Sequence, residues 1–205
     1  MDALGKIFGS ISRVKIIRLF LCSEEEVFDK EEVSKKAKVS MDTTGKELSV
    51  LEKSGLIRKK SFFKQGKKLK NGKLPKKKRV QGYLVNQNFK YIISLKSLLC
   101  GPTPMKHKEI GDKFSGVGSI KAIVVAGVFI QDPNSRLDVL IAGDNMSTIK
   151  IRNAIASVES EIGRELRYAV FETNDFKYRL GVCDKLVRDI FDYPHEIVID
   201  KLGLL

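Results

Sequence analysis

The sequence predicts an α/β chain, α+β overall, of two domains, residues 1–100 and 101–205. Three observations predict it. Helical periodicity followed by two short strands fills the first half. Gly101-Pro102-Thr103-Pro104 then interrupts the chain with residues that stiffen it and stop an element. Beyond that point β-rich runs alternate with helical stripes, which suits a small mixed sheet with helices against it.

In the first domain Ser10 or Ser12 can cap a helix whose stripe is Val14, Ile17 and Leu21, widened by Ile16 and Phe20. Ser23-Glu24-Glu25-Glu26 breaks the stripe. Asp29 caps a second helix, Lys30 to Lys38, whose buried side needs only Val33 and Ala37. A tight turn at Val39-Ser40 follows, and Ser40 or Asp42 caps a third helix reaching about Ser54, with Leu48 and Leu51 inward. Gly55 stands where a helix-ending glycine belongs. Strands are expected from Leu56-Ile57 and again through Tyr83-Leu84-Val85, then a helix from about Asn88 to Cys100.

Charge is concentrated between those strands. Residues 53–108 hold 17 Lys or Arg and no Asp or Glu, in a chain of net charge +13. The rest carries 21 basic and 25 acidic side chains, so the basicity is local. A segment this dense repels itself and calls for an anionic partner.

In the second domain a short helix (Met105 to Phe114) and a glycine-rich hinge precede a buried strand from Ile120 to Gly127. A turn leads to a second strand, Arg136 to Ala142. Ser147 caps a long helix to about Gly163 carrying Ile149, Ile151, Ile155, Val158 and Ile162. A third strand, Leu166 to Phe171, and two short helices, about Asp175 to Leu180 and Cys183 to Asp192, follow. Ile197-Val198-Ile199 reads as packing for the last residues.

Composition excludes several classes. With 42% hydrophobic residues the chain can bury a core, and no apolar run of about 18 residues suggests a membrane span. The opening residues lack a charged leader and a cleavage site, so no signal peptide is expected. Cys22, Cys100 and Cys183 are odd in number and far apart, which fits a reduced cytoplasmic setting better than a disulfide framework. His107 and His195 are too isolated to complete a zinc site. No metal and no cofactor is expected.

The element order helix, short helix, tight turn, helix, strand, basic loop, strand is that of a winged helix-turn-helix. The segment LFLCSEEEVFDKEEVSKKAKVSMDTTGKELSVLEKSGLIRKK resembles the ArsR/MarR-like winged-helix regulators, over roughly residues 4 to 85. The resemblance implies that the third helix enters the major groove of DNA and the wing touches flanking backbone. Carried over by position, Ser40, Met41, Thr43, Thr44, Lys46 and Glu47 would face DNA. Lys59, Lys60, Lys64, Lys67, Lys68, Lys70, Lys76, Lys77, Lys78 and Arg79 would supply wing contacts. The physics agrees, because lysines supply affinity with little sequence information and short polar side chains can approach base edges.

Residues 105 to 200 resemble the small nucleotidyltransferase domain. That family places Gly-Ser at the end of one strand, Asp-x-Asp on the next and a third carboxylate later, because the acids hold two divalent ions on the triphosphate. Here Gly127 matches the glycine, Val128 stands in place of serine, and Ser135 matches a serine that commonly precedes the acids. Arg136 replaces the first aspartate and only Asp138 survives, with Glu172 just beyond the third strand. One carboxylate cannot hold two ions, so no catalysis is expected; an ion pair of Asp138 with Arg136 or Arg167, or a cap, is its expected role. The degenerate site leaves room for a nucleotide or protein ligand.

These readings give a cytoplasmic, nucleoid-associated transcriptional regulator that binds double-stranded DNA as a homodimer, with no membrane contact. The alternatives are an active nucleotidyltransferase targeted by its winged helix and an RNA-associated basic protein.

Overall fold

A short helix, α1 (Ala3–Ile7), leads into α2 (Ile11–Cys22), and Ser10 starts the latter by accepting a hydrogen bond from the Arg13 backbone N–H at 3.1 Å. The computed structural model describes residues 3–65, 77–101, 105–132 and 134–204. The chain is α+β and divides into two compact units, Met1–Ser97 and Leu98–Leu205. The division falls three residues before the expected boundary; Pro102-Thr103-Pro104 lie outside the described residues.

In the first unit α2 is buried over most of its surface, including Val14, Ile16, Ile17, Leu19, Phe20 and Leu21. Phe20 meets Phe28 edge to face, with ring centroids 5.9 Å apart. Next comes α3 (Lys30–Ala37), buried through Val33 and Ala37 alone. Its start is a capping box: Asp29 accepts from Glu32 N–H at 2.8 Å, and the Glu32 side chain accepts from Asp29 N–H at 3.0 Å. Lys38 adopts the left-handed conformation (φ 52°) and turns the chain within three residues into α4 (Met41–Lys53), capped by Ser40. Gly55 (φ 81°) ends α4 as expected, its N–H and that of Leu56 donating to Glu52 and Leu51 carbonyls.

β1 (Ile57–Gln65) and β2 (Lys77–Val85) then pair antiparallel, Ile57 opposite Val85 and Phe63 opposite Arg79. A single bridge adds a third rung: Phe28 and Tyr83 exchange backbone hydrogen bonds at 3.0 and 2.8 Å. The base of the hairpin is therefore sutured to the loop before α3. The expected helix after β2 is shorter than its apolar pattern: α5 spans Ile92–Cys100, because Asn86 N–H binds the Leu56 carbonyl and 86–91 form turns instead.

In the second unit α6 (His107–Lys113) precedes β3 (Ser119–Val125), a single 3₁₀ turn at Gly127–Phe129, and β4 (Val139–Asp144). Then come α7 (Thr148–Ile162), β5 (Tyr168–Glu172), α8 (Thr173–Gly181), α9 (Lys185–Phe191) and β6 (Glu196–Asp200). The sheet order is β5-β4-β3-β6, with β4–β5 parallel and β3 antiparallel to both neighbours.

Alternation along the central strands builds two cores. Ile123, Val125, Val139 and Ile141 face Ile110, Phe114, Ile151, Ile155 and Val158. Ala122, Val124, Leu140 and Ala142 face Phe176, Val187 and Ile190. Each large side chain so buried contributes about 1.5–3 kcal/mol.

Three expectations need correction here. The second strand starts at Val139, not Arg136, because Ser135 Oγ donates to the Leu137 carbonyl at 2.6 Å and holds 135–137 in a local loop. Ile149 is exposed (74%), lying off the α7 stripe formed by Ile151, Ile155, Val158 and Ile162. Ile197-Val198-Ile199 is not loose packing but the edge strand β6.

Candidate nucleic-acid interface

The amphipathic period of α4 decides which of its residues can meet a partner. Leu48 and Leu51 are buried, and Thr44 at i−4 from Leu48 and Glu47 at i−4 from Leu51 share that inward face. Thr44 and Glu47 are thus removed from the expected DNA-facing set. Thr44 is fully buried, and its Oγ1 has no hydrogen-bond partner among the described residues. Glu47 is 7% exposed and accepts from Arg13 Nε at 2.7 Å, tying α4 to α2. Ser40, Met41 and Lys46 are exposed and Thr43 half-exposed, so these four remain on the outward side. An open depression of about 670 Å³ beside them is lined by Lys30, Asp42, Gly45, Lys46 and Ser49. A Cβ at Gly45 would stand 2.8 Å from Lys30 Nζ, the mobile end of a long side chain that can swing aside.

The hairpin cations fall into two groups. Lys59 pairs with Glu52 at 2.8 Å, and that hydrogen bond raises its pKa above the ordinary lysine value. Lys64 reaches Asp29 at 2.5 Å and Glu32 at 2.9 Å. These bonds, Asp29's first, raise the Lys64 pKa. Burial favours protonation of Asp29, but hydrogen bonds from Lys64 and the Glu32 backbone outweigh it and lower the Asp29 pKa. In the second group Arg58, Lys60, Lys77, Lys78 and Arg79 are all exposed and have no ion-pair partner among the described residues. Lys67, Lys68, Lys70 and Lys76 lie outside the described residues.

On the hairpin, adjacent aromatics take opposite sides. Phe62 is half-buried and its ring crosses Gly82, where a Cβ would come within 2.7 Å of it and 2.8 Å of Val27. Phe63 is 70% exposed. In sequence both border the lysines alike, and only the strand period separates them.

In the second unit Asp138 is a buried hub just before β4. Its Oδ2 accepts from Arg167 N–H at 2.8 Å and Arg167 Nε at 3.1 Å; its Oδ1 accepts from Val128 N–H at 3.1 Å and from the Arg167 guanidinium at 3.2 Å. Of the roles open to it, pairing with Arg167 is the one it takes. Arg136 instead pairs with Asp189 at 2.9 Å. Gly127 (φ 53°) leaves the space that Asp138 occupies, since a Cβ there would stand 2.2 Å from Oδ1. Ser135 is buried and spent on its local hydrogen bond. Glu172, the last residue of β5, is exposed.

Among the described residues no group of three His, Cys, Asp or Glu side chains converges as a metal site, and no helix is long and apolar enough to cross a membrane. Neither a family model, a curated protein nor a solved structure matches this chain.

Proposed function

We propose that the chain is a sequence-specific double-stranded-DNA-binding transcriptional regulator. In this reading α4 enters the major groove and the β1–β2 hairpin lies along flanking phosphates. One observation carries it. The acids beside the hairpin are already engaged internally, Glu52 by Lys59 and Asp29 and Glu32 sharing Lys64, while Arg58, Lys60, Lys77, Lys78 and Arg79 are exposed and unpaired among the described residues. A surface so sorted presents net positive charge to a polyanion next to a helix whose outward side carries Met41, Asp42, Thr43 and Lys46.

The second unit serves the regulator without catalysing a transfer. Support for that is the saturation of Asp138 by Arg167 and Val128, which leaves the surviving carboxylate no lone pair directed at a metal ion. Its place in the regulator is dimerisation or the holding of a nucleotide or protein ligand, with the homodimer matching a palindromic site.

The test is a selection of genomic fragments by purified protein, with retained duplexes titrated at two salt concentrations beside RNA of the same sequence. An enriched motif bound far more tightly than random duplex is the expected result. Retention without a motif, or preference for the RNA, overturns it.

A further inference from the structure

Resting on the DNA-binding reading, we infer that Phe63 is a stacking residue that takes an unpaired base of the DNA, at the end or at an opened step of the duplex the hairpin contacts.

Register places Phe63 directly opposite Arg79, on the hairpin face that also carries Lys59, Ser61, Gln81 and Tyr83. The opposite face carries Phe62, which is spent on packing over Gly82. Phe63 is 70% exposed and touches no other ring or cation among the described residues. A bare aromatic is costly on a strand that could hold a polar residue at the same place.

Its surroundings state what would cover it. Arg79 and Lys77 share its face and are exposed, and neither strand of the hairpin contains a single Asp or Glu. The complementary occupant must be densely anionic and must also offer a flat apolar face. A nucleobase attached to its phosphates meets both demands, and in a paired duplex that face is hidden by its neighbours. Stacking of bases on aromatic side chains beside cations is the recurring solution for unpaired strands, and it tolerates any base. The β ladder on either side of Phe63 fixes the backbone from which the ring projects.

The full chain with a blunt duplex, and with the same duplex carrying a single-stranded DNA overhang, provides the test. The wild-type protein is expected to bind the overhang probe more tightly. Phe63→Ala should lose that preference, by about five- to a hundredfold, while its dependence on salt stays unchanged because no phosphate contact is removed. The sequence contains no tryptophan, so Phe63→Trp gives a single reporter whose emission should be quenched by the overhang probe and not by the blunt one. Wild-type binding to both probes with an indifferent Phe63→Ala and an unquenched indole overturns this inference alone. Absence of binding to either probe by the wild-type protein overturns it together with the DNA-binding reading.

Discussion

The Nζ of Lys64 on β1 lies 2.5 Å from the Oδ2 of Asp29, the residue that starts α3. One lysine thereby joins the hairpin to α3, because Asp29 and Glu32 are both members of the capping box and both partners of Lys64. The cation ties the hairpin to the start of α3, beside the backbone bridge between Phe28 and Tyr83.

That clamp has a pH signature. The Asp29 pKa is depressed below its ordinary 3.8, so its share of stability is complete above 3.8 and disappears as pH falls through the folded value. The Lys64 pKa is raised above 10.5, so its share is complete below 10.5 and disappears as pH rises through the folded value. Lys64→Met should cost under ~1 kcal/mol at neutral pH, the pair being partly exposed, and the deficit should close at both extremes. Thermal melts of both proteins across the pH range measure it; a deficit independent of pH would refute the charge pairing.

The two groups of hairpin cations should differ in their effect on DNA binding. Replacing Lys77, Lys78 and Arg79 by Ala should flatten the logarithmic salt slope by about 2–3, at ~0.9 per phosphate contact. Lys59→Ala should change it by less than the ~0.9 of one contact, since Lys59 already pairs with Glu52. Titrations at four salt concentrations separate the cases, and equal slopes for all four cations would contradict the division.

Thr44 and Lys46 supply a second contrast. Thr44→Val removes a buried hydroxyl that has no partner among the described residues, so stability should hold or rise by ~1 kcal/mol with DNA affinity unchanged. Lys46→Ala should leave the melting temperature within its error and lower affinity. Denaturant melts paired with binding isotherms decide, and an affinity loss in Thr44→Val with normal stability would return that residue to the interface.

In the second unit Asp138→Ala strands the backbone N–H groups of Arg167 and Val128 and should cost about 2–4 kcal/mol. Gly127→Ala should cost a similar ~2–4 kcal/mol, through a positive φ and a Cβ driven into the Asp138 carboxylate. Urea unfolding checks both. An unchanged midpoint in either variant would mean the hub carries no stability.

Much of the first unit is readable from its residues, and for local reasons. Ser10, Asp29, Ser40 and Gly55 act on backbone groups within a few positions, so their roles are written in neighbouring sequence. The period of α4 also held the placement of Thr44, at i−4 from Leu48, yet reading the first turn as a block conceals it. Some misreadings in the second unit are local, as at Ser135 and Ile149, and others are non-local. Ile197-Val198-Ile199 is only three apolar residues, and pairing with β3 makes it a strand. Arg136 looks like an occupant of the aspartate position until Asp189 on a later helix claims it. The Asp-x-x-Glu spacing of the capping box was legible; that a lysine 35 residues on would bridge it was not.

The pairing of β3 with β6 also orders events during synthesis. Ala122 must wait for Asp200 before that edge is covered, whereas α3 and α4 are close neighbours in sequence. Through that interval the nascent chain carries β3, one of its most apolar strands, with an open row of peptide groups. A stall or truncation before residue 196 would leave a folded, cation-bearing first unit attached to an adhesive strand. Such fragments should draw chaperones or aggregate on whatever the first unit holds.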